Sequence, residues 1–238
     1  MILVLLIVFI WTLASLLSGG FFPSIKNTLR FAVTIPACEY FKSTGKTLTN
    51  SLLGFFLAFV LAIISVLLSY LNRTAKDFFN AVNTFVQSVS VLVWSILSII
   101  IFGVTSSIPP ILVTTFAVYP ILLTSTLGAV SVLDRKLIEV SKMLGASKLQ
   151  EFTYVLLPGS IPYVVSASRA AIGIALRISV VAEAFGASGG IGYQIVYNYD
   201  LARIPGVLTW SILLILLMIV IDFFVLKPVE KWTLKWKM

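Results

Sequence analysis

Long apolar segments alternate with short polar connections along the chain, and this pattern predicts its elements. Segments of about 20 consecutive apolar residues can cross the hydrocarbon core of a bilayer as helices. The sequence therefore predicts an all-α membrane protein with about six transmembrane helices, forming a single transmembrane domain over residues 1–238. The predicted spans are 1–18, 48–71, 78–102, 108–132, 161–184 and 206–226.

The first apolar segment is slightly short for a span, and a cleaved signal peptide is the alternative interpretation. A signal peptide carries basic residues ahead of its apolar run. Residues 1–18 hold none. We therefore expect this segment to be retained as a helix.

Residues 133–158 break the apolar pattern, and we call this stretch the polar hairpin. Its apolar side chains recur at the spacing of one helical face, while charged residues lie between them. The face consists of Leu133, Leu137, Val140 and Leu144.

The ends of two helices can be predicted inside the polar hairpin. Gly145 is a C-terminal stop signal, and Ser147 followed by Gln150 is a capping box that begins a second helix. We expect this second helix to end near Pro158, where a proline would interrupt it.

Composition supports the membrane assignment, since 59% of the residues are hydrophobic and only 11% are charged. The net charge of +8 is spread over short connections rather than gathered into one basic patch, which argues against a nucleic-acid partner and for contact with lipid head groups. Without histidine, Ser-His catalysis and an HExxH metal site are excluded. The single Cys38 excludes an internal disulfide.

Gly45, Lys46 and Thr47 resemble the end of a phosphate-binding loop, but that motif needs a glycine where Tyr40 stands. We expect no nucleotide, metal or other cofactor in this chain.

Basic residues in the connections predict the orientation. Most of them share a side with the N-terminus, which places both termini in the cytoplasm. These are Arg73, Lys76, Arg135, Lys136, Lys142, Lys148, Lys227, Lys231, Lys235 and Lys237. The outer connections hold Lys26, Arg30, Lys42, Lys46 and Arg203. The first outer connection, which contains four of these five residues, runs against the rule that basic residues are in excess on the cytoplasmic side.

In the polar hairpin, Glu139, Gly145 and Leu157-Pro158 resemble the EAA signature of binding-protein-dependent ABC transporter permeases. The longer run LIEVSKMLGASKLQEFTYVLLPGSIPYVVSASRAAIGIALRISVVAEAFGASGGIGYQI is similar to the nitrate, sulfonate and taurine permease group, and the likeness covers roughly residues 48–199. The chain departs from the family in two places. It has Val140 and Ser141 after the signature glutamate, and Ser88, Ser90 and Val91 where a proline-rich start of a span is usual.

The resemblance implies a type I ABC importer (MetI-like) permease fold in the inner, cytoplasmic cell membrane. It implies a transport subunit and not an enzyme, present as a homodimer. Cytoplasmic ABC ATPase subunits would use ATP and Mg, and an extracytoplasmic binding protein would deliver a small anion, a sulfonate-like solute or another small organic solute. A stand-alone secondary carrier or channel is the alternative.

The resemblance also assigns the polar hairpin to contact with the ATPase. A helix lying on the lipid interface is the alternative. The residues expected to couple to the ATPase are Arg135, Glu139, Lys142, Leu144, Gly145, Ala146 and Ser147.

Three ionisable residues lie on the fifth predicted span, Arg169, Arg177 and Glu183, and intramembrane charges must face protein or water. Arg169 and Glu183 are about 21 Å apart along a helix, too far for a direct pair. They either line the substrate pathway or tie helices together, and Arg177 is the candidate for meeting an anion. We expect Asp222 to extend towards Lys227.

The loop predicted over residues 186–205 is rich in glycine and tyrosine. Flexible backbone beside aromatic rings suits an outer gate or a docking surface, although an ordinary tight connection has the same composition. The candidate gate residues are Gly189, Gly190, Gly192 and Tyr193.

Overall fold

The computed structural model describes residues 2–18, 22–104, 106–133 and 135–228. The described residues form helices throughout, and these are numbered α1 to α11 along the chain. Their bounds are α1 Ile2–Leu17, α2 Ile25–Thr34, α3 Ala37–Leu71, α4 Arg73–Ser88, α5 Val91–Phe102, α6 Ile108–Val132, α7 Arg135–Met143, α8 Lys148–Glu151, α9 Leu157–Gly186, α10 Ile191–Asp200 and α11 Ile204–Ile221. The tail KPVEKWTLKWKM interleaves Lys with Trp, a pattern typical of an anchor at the lipid interface, and it lies mostly outside the described residues.

Four stretches of the described chain are long and apolar enough to cross a membrane, and they are Ala37–Leu71, Ile108–Val132, Lys148–Gly186 and Ile204–Phe224. The third predicted span is not one straight helix. It is the pair α4 and α5, bent by 95° between Ser88 and Val91, which counts as a fifth span only if the pair is taken together. Helix α1 has 16 residues, fewer than the roughly 20 that a span needs. By length and composition, the described residues therefore hold four spans, or five with the bent pair, where about six were predicted.

Helices α3, α6 and α9 pack closely because small residues line their contacts. Gly54 of α3 lies so near Thr114 and the carbonyl of Ile111 that a Cβ atom would clash with both. Ala58 and Ala62 of α3 are buried in the same core as Ala171 and Ala175 of α9, together with Leu122 and Leu123 of α6. These two alanines of α9 thus pack inside the chain, where their small side chains permit close backbone approach.

Two helix boundaries differ from the prediction. Helix α3 begins at Ala37 and continues through Gly45, so the stretch expected to be a polar connection extends the second span by more than two turns. Pro158 does not end a helix either. A π-helical turn, Phe152–Leu156, joins α8 to α9, and its wider hydrogen-bond ring accommodates the proline that follows.

Candidate functional site

The turn of the polar hairpin has the geometry predicted for it. Gly145 has φ +75°, in the left-handed region that favours glycine. Its N–H donates to the carbonyl of Lys142 at 3.0 Å, and the N–H of Ala146 donates to that of Ser141 at 3.0 Å, which forms a Schellman motif. The side chain of Ser147 accepts from the N–H of Gln150 while the Gln150 side chain accepts from the N–H of Ser147, completing the capping box.

Helix α7 presents two different faces. Ile138 packs against the core and Ser141 is buried. Three of the four residues of the predicted apolar face point outward instead: Leu137 and Val140 are each 53% exposed and Leu144 is 81% exposed. The fourth, Leu133, precedes α7, is partly buried and packs against the core. Glu139, Lys142 and Ser147 are also exposed, Ala146 is partly buried, and the side chain of Arg135 lies outside the described part of the chain.

The second half of the polar hairpin is attached to the end of α3. The Lys148 ammonium donates to the carbonyl of Leu71 at 3.5 Å, and the rings of Tyr70 and Phe152 are 5.9 Å apart. Glu151 is 1% exposed, lies beside Tyr70, and has an Oε1 atom without a hydrogen-bond partner among the described residues. The sequence analysis missed Glu151, whose signal is its position where the hairpin turns from polar to apolar.

At the opposite end of α3, Glu183 holds three helices together. Its buried carboxylate accepts from the Thr47 hydroxyl at 2.8 Å, the Asn50 side-chain amide at 2.9 Å and the backbone N–H of Gly192 at 3.2 Å. The Thr47 oxygen also accepts from the backbone N–H of Ile191 at 2.8 Å. We call these five residues the Glu183 cluster, and they fix α10 against α3 and α9.

Ile191–Asp200 of the predicted glycine-rich loop form α10, so the loop expectation is wrong there, whereas residues 187–190 and 201–203 lie outside helices. Its glycines serve close packing. A Cβ on Gly190 would meet the Glu183 carboxylate, and one on Gly192 would meet the carbonyl of Val180. The close approach that lets the Gly192 N–H reach Glu183 thus leaves no room for a larger residue at this position.

The other two candidate gate residues, Gly189 and Tyr193, line a cavity of about 410 Å³ near the same end of α3 as Glu183. Gly189 has φ +151° and lies beside the side chain of Lys46, whose ammonium donates to the Ser188 hydroxyl at 2.6 Å. Tyr193 is 36% exposed and stacks on Tyr197 with ring centroids 5.8 Å apart.

The two arginines of α9 lie apart from the Glu183 cluster. Arg169 forms an ion pair with Asp222 at 3.2 Å, and Asp222 also reaches Lys227 at 3.5 Å, as expected. Arg177 is exposed and shares with Arg169 and Asp222 a cavity of about 510 Å³. Among the described residues, no group of three or more His, Cys, Asp or Glu side chains could hold a metal ion.

Comparison with known proteins assigns the family. Residues 52–226 match the family described as the binding-protein-dependent transport system inner membrane component. The chain belongs to this family of ABC importer permeases. The permease is 30% identical over 188 residues to a putative ABC transporter permease of Methanocaldococcus jannaschii, covering 75% of this chain and 70% of the relative. Its family is one of transport subunits and not of enzymes.

Other relatives have named substrates. The permease is 26% identical over 193 residues to the taurine transport system permease of Escherichia coli, covering 78% of this chain and 70% of the relative. It is 34% identical over 116 residues to the nitrate import permease of Synechococcus elongatus, covering 48% of this chain and 40% of the relative. The recognised likeness to the nitrate, sulfonate and taurine group is thereby confirmed.

Solved structures support the fold. A chain of the inward-facing MetNI methionine ABC transporter superposes with a TM-score of 0.69 at 23% identity, covering 81% of this permease and 94% of that chain. A chain of an amino acid ABC transporter superposes with a TM-score of 0.67 at 13% identity, covering 81% of this permease and 92% of that chain. The MetI-like importer fold is thus confirmed.

Proposed function

We propose that this permease is the membrane subunit of an ATP-driven importer and that its polar hairpin binds a cytoplasmic ABC ATPase. The observation that carries the proposal is the outward apolar face of α7, formed by Leu137, Val140 and Leu144. No other part of the described chain covers it. An amphipathic helix with such a face is a recurrent way to fill a groove on a partner protein.

The surroundings of this face suit a protein interface. Glu139 and Lys142 stand at its edge, where charged side chains set orientation more than affinity. The Schellman turn and the capping box fix the angle between α7 and α8, so the face is presented on a preorganised support. Arg135, Ala146 and Ser147 complete the proposed contact segment.

Membership of the family supports a proposal for the wider assembly. Two copies of this permease would form the pathway, and two ATPase subunits would use ATP and Mg²⁺ while gripping the two polar hairpins. An extracytoplasmic binding protein would deliver the solute, and both termini would lie in the cytoplasm. Neither a cofactor in this chain nor a nucleic-acid partner is proposed, and lipid surrounds the outer helices.

The proposed solute is a small anion, a sulfonate-like compound or another small organic molecule. Relatives named for taurine, aliphatic sulfonates and nitrate support this range. Exposed Arg177 supports an anionic group, since its guanidinium is always charged and presents several donors.

The coupling role can be tested at Gly145. Gly145→Asp is expected to abolish co-purification of the ATPase and ATP-driven uptake while the permease still inserts into the membrane. An added Cβ meets nothing within 4 Å at this position, so the aspartate changes the exposed surface and the turn without disturbing the core.

Gly103→Asp is the matched control. Gly103 also has a positive φ, +85°, and open space around its Cβ position, but it follows α5 and lies outside the hairpin. Equal loss of ATPase capture in both variants, or uptake that persists without any ATPase, would contradict the proposal. The second result would identify a stand-alone carrier or channel.

A further inference from the structure

A third cavity, of about 500 Å³, lies between the bent pair α4–α5, α6 and α9. We propose that it is an intramembrane binding site for the uncharged, apolar body of a small organic solute. This inference rests on the proposed transport function and narrows its substrate class.

The cavity lies beside two interruptions in helical structure. Between Ser88 and Val91 the backbone turns by 95°, and both Val89 and Val91 line the cavity. On the facing wall, Pro120 stands midway along α6 and has no N–H to donate to the carbonyl of Phe116, which removes the usual helical donor for that acceptor. In secondary transporters, discontinuous helices near the bilayer midplane commonly form the solute site, and the same kind of geometry is present here.

The cavity wall is apolar and aromatic. Trp94 and Phe116 form its ring pair, with centroids 4.5 Å apart, and Ile174 and Ile178 of α9 close the opposite side. The polar groups at the wall are neutral: the amide of Gln87 and the hydroxyls of Thr124 and Ser125. A volume of this size with few polar groups is typical of a small-molecule pocket.

No charged side chain is among the described residues that line this cavity. An ion buried there would lose its hydration without gaining an opposite charge, which is strongly unfavourable. The site therefore suits a ring or an alkyl group that uses Gln87, Thr124 or Ser125 for orientation. A bare inorganic anion does not fit it.

The cavity adjoins a surface that cannot face lipid. Ile174 lines both this cavity and the neighbouring one that contains Arg177 and the Arg169–Asp222 pair. Charged side chains within a span face protein or water rather than hydrocarbon. The uncharged site thus adjoins a charged one, and a solute with an apolar body and an anionic end could occupy both.

The test uses single thiols and two reagents with the same reactive group. In a Cys38→Ser background, Ala117→Cys places the thiol on the cavity wall. Benzyl methanethiosulfonate carries an uncharged ring, and sulfonatoethyl methanethiosulfonate carries an anion. The matched control is Leu97→Cys on α5, which is 43% exposed and lies outside the cavity.

At Ala117→Cys the benzyl reagent should react at least about tenfold faster than the anionic one, because the cavity offers no counter-charge. Its rate should also saturate with concentration, as reversible binding requires, and at Leu97→Cys it should rise in proportion to concentration. Adding Trp94→Ala should raise the half-saturating concentration about tenfold, since one large apolar contact is removed.

Non-saturating reaction at Ala117→Cys, matching that at Leu97→Cys, would mean a lipid-filled groove and overturn the proposal. Equal rates for the two reagents would overturn the assignment to an uncharged body. Capture of the ATPase by the same purified variants is scored separately. If the ATPase is captured but the benzyl reagent shows no saturable reaction, only this inference is overturned. If the benzyl reaction saturates but the ATPase is not captured, only the proposed function is overturned.

Discussion

The two ends of α3 meet opposite kinds of surroundings. At Thr47 and Asn50, polar side chains are buried and have their partners inside the chain, centred on Glu183. At Tyr70 and Leu71, the helix supports a hairpin whose apolar face has no cover among the described residues. Residues of both regions look functional in the sequence. The Glu183 cluster is satisfied within the permease itself, whereas the polar hairpin is the segment proposed to bind a second protein.

The largest expected effect is on stability, at Glu183. Glu183→Leu leaves the Thr47 hydroxyl, the Asn50 amide and the Gly192 N–H without their acceptor. Each unsatisfied buried donor costs about 1 to 3 kcal/mol, so the free energy of unfolding should fall by about 4 kcal/mol. Chemical denaturation in detergent micelles measures it.

Glu183→Gln is the control for Glu183→Leu, because it keeps the shape and one acceptor oxygen. It should lose clearly less stability than the leucine variant. If both variants unfolded like the unaltered permease, the Glu183 cluster would not hold α10 in place, and the contrast between the two ends of α3 would fail.

Gly192 should show the next largest effect. Gly192→Ala drives a methyl group against the carbonyl of Val180, and overpacking of this kind costs about 1 to 3 kcal/mol. Gly128→Ala in α6 is the control, since nothing lies within 4 Å of its Cβ position. Thermal unfolding should separate the two variants, and similar melting temperatures would show that α10 yields easily at this contact.

The smallest stability effect, with the largest effect on binding, is expected at Leu144. Leu144→Ser should change the unfolding free energy by no more than about 0.5 kcal/mol, as at other exposed positions. It should weaken capture of the ATPase by about tenfold or more, since apolar anchors dominate interfaces.

Val33→Ser is the matched control for Leu144→Ser. Val33 is 87% exposed, but it belongs to α2, outside the polar hairpin. Its replacement should leave ATPase capture unchanged. Undiminished capture by the Leu144 variant would place the contact on another face of the hairpin.

Local chemistry made the polar hairpin predictable. The left-handed turn at Gly145 and the reciprocal bonds between Ser147 and Gln150 depend on residues within one turn of each other. Such signals are complete in a short stretch of sequence. The sequence likewise identified the amphipathic face of α7 and the long apolar helices, because both are periodic patterns.

Features that depend on distant partners were not predictable. Nothing near Glu183 indicates Thr47 and Asn50, which are 136 and 133 residues away. The glycines around Ile191 suggested a loop because the close approach of Gly190 to Glu183 and of Gly192 to Val180 is visible only in three dimensions. The sequence analysis also did not predict the bend between α4 and α5 or the π-turn before Pro158.

Helix α3 is 35 residues long, which corresponds to about 52 Å, well beyond the roughly 30 Å of membrane hydrocarbon. A single unbroken rod therefore touches the polar hairpin at one tip and the Glu183 cluster near the other. The helix therefore fixes the rotation of one contact region relative to the other about the helix axis. One residue inserted between the two regions would rotate one against the other by about 100°, although the residues of each region would be unchanged.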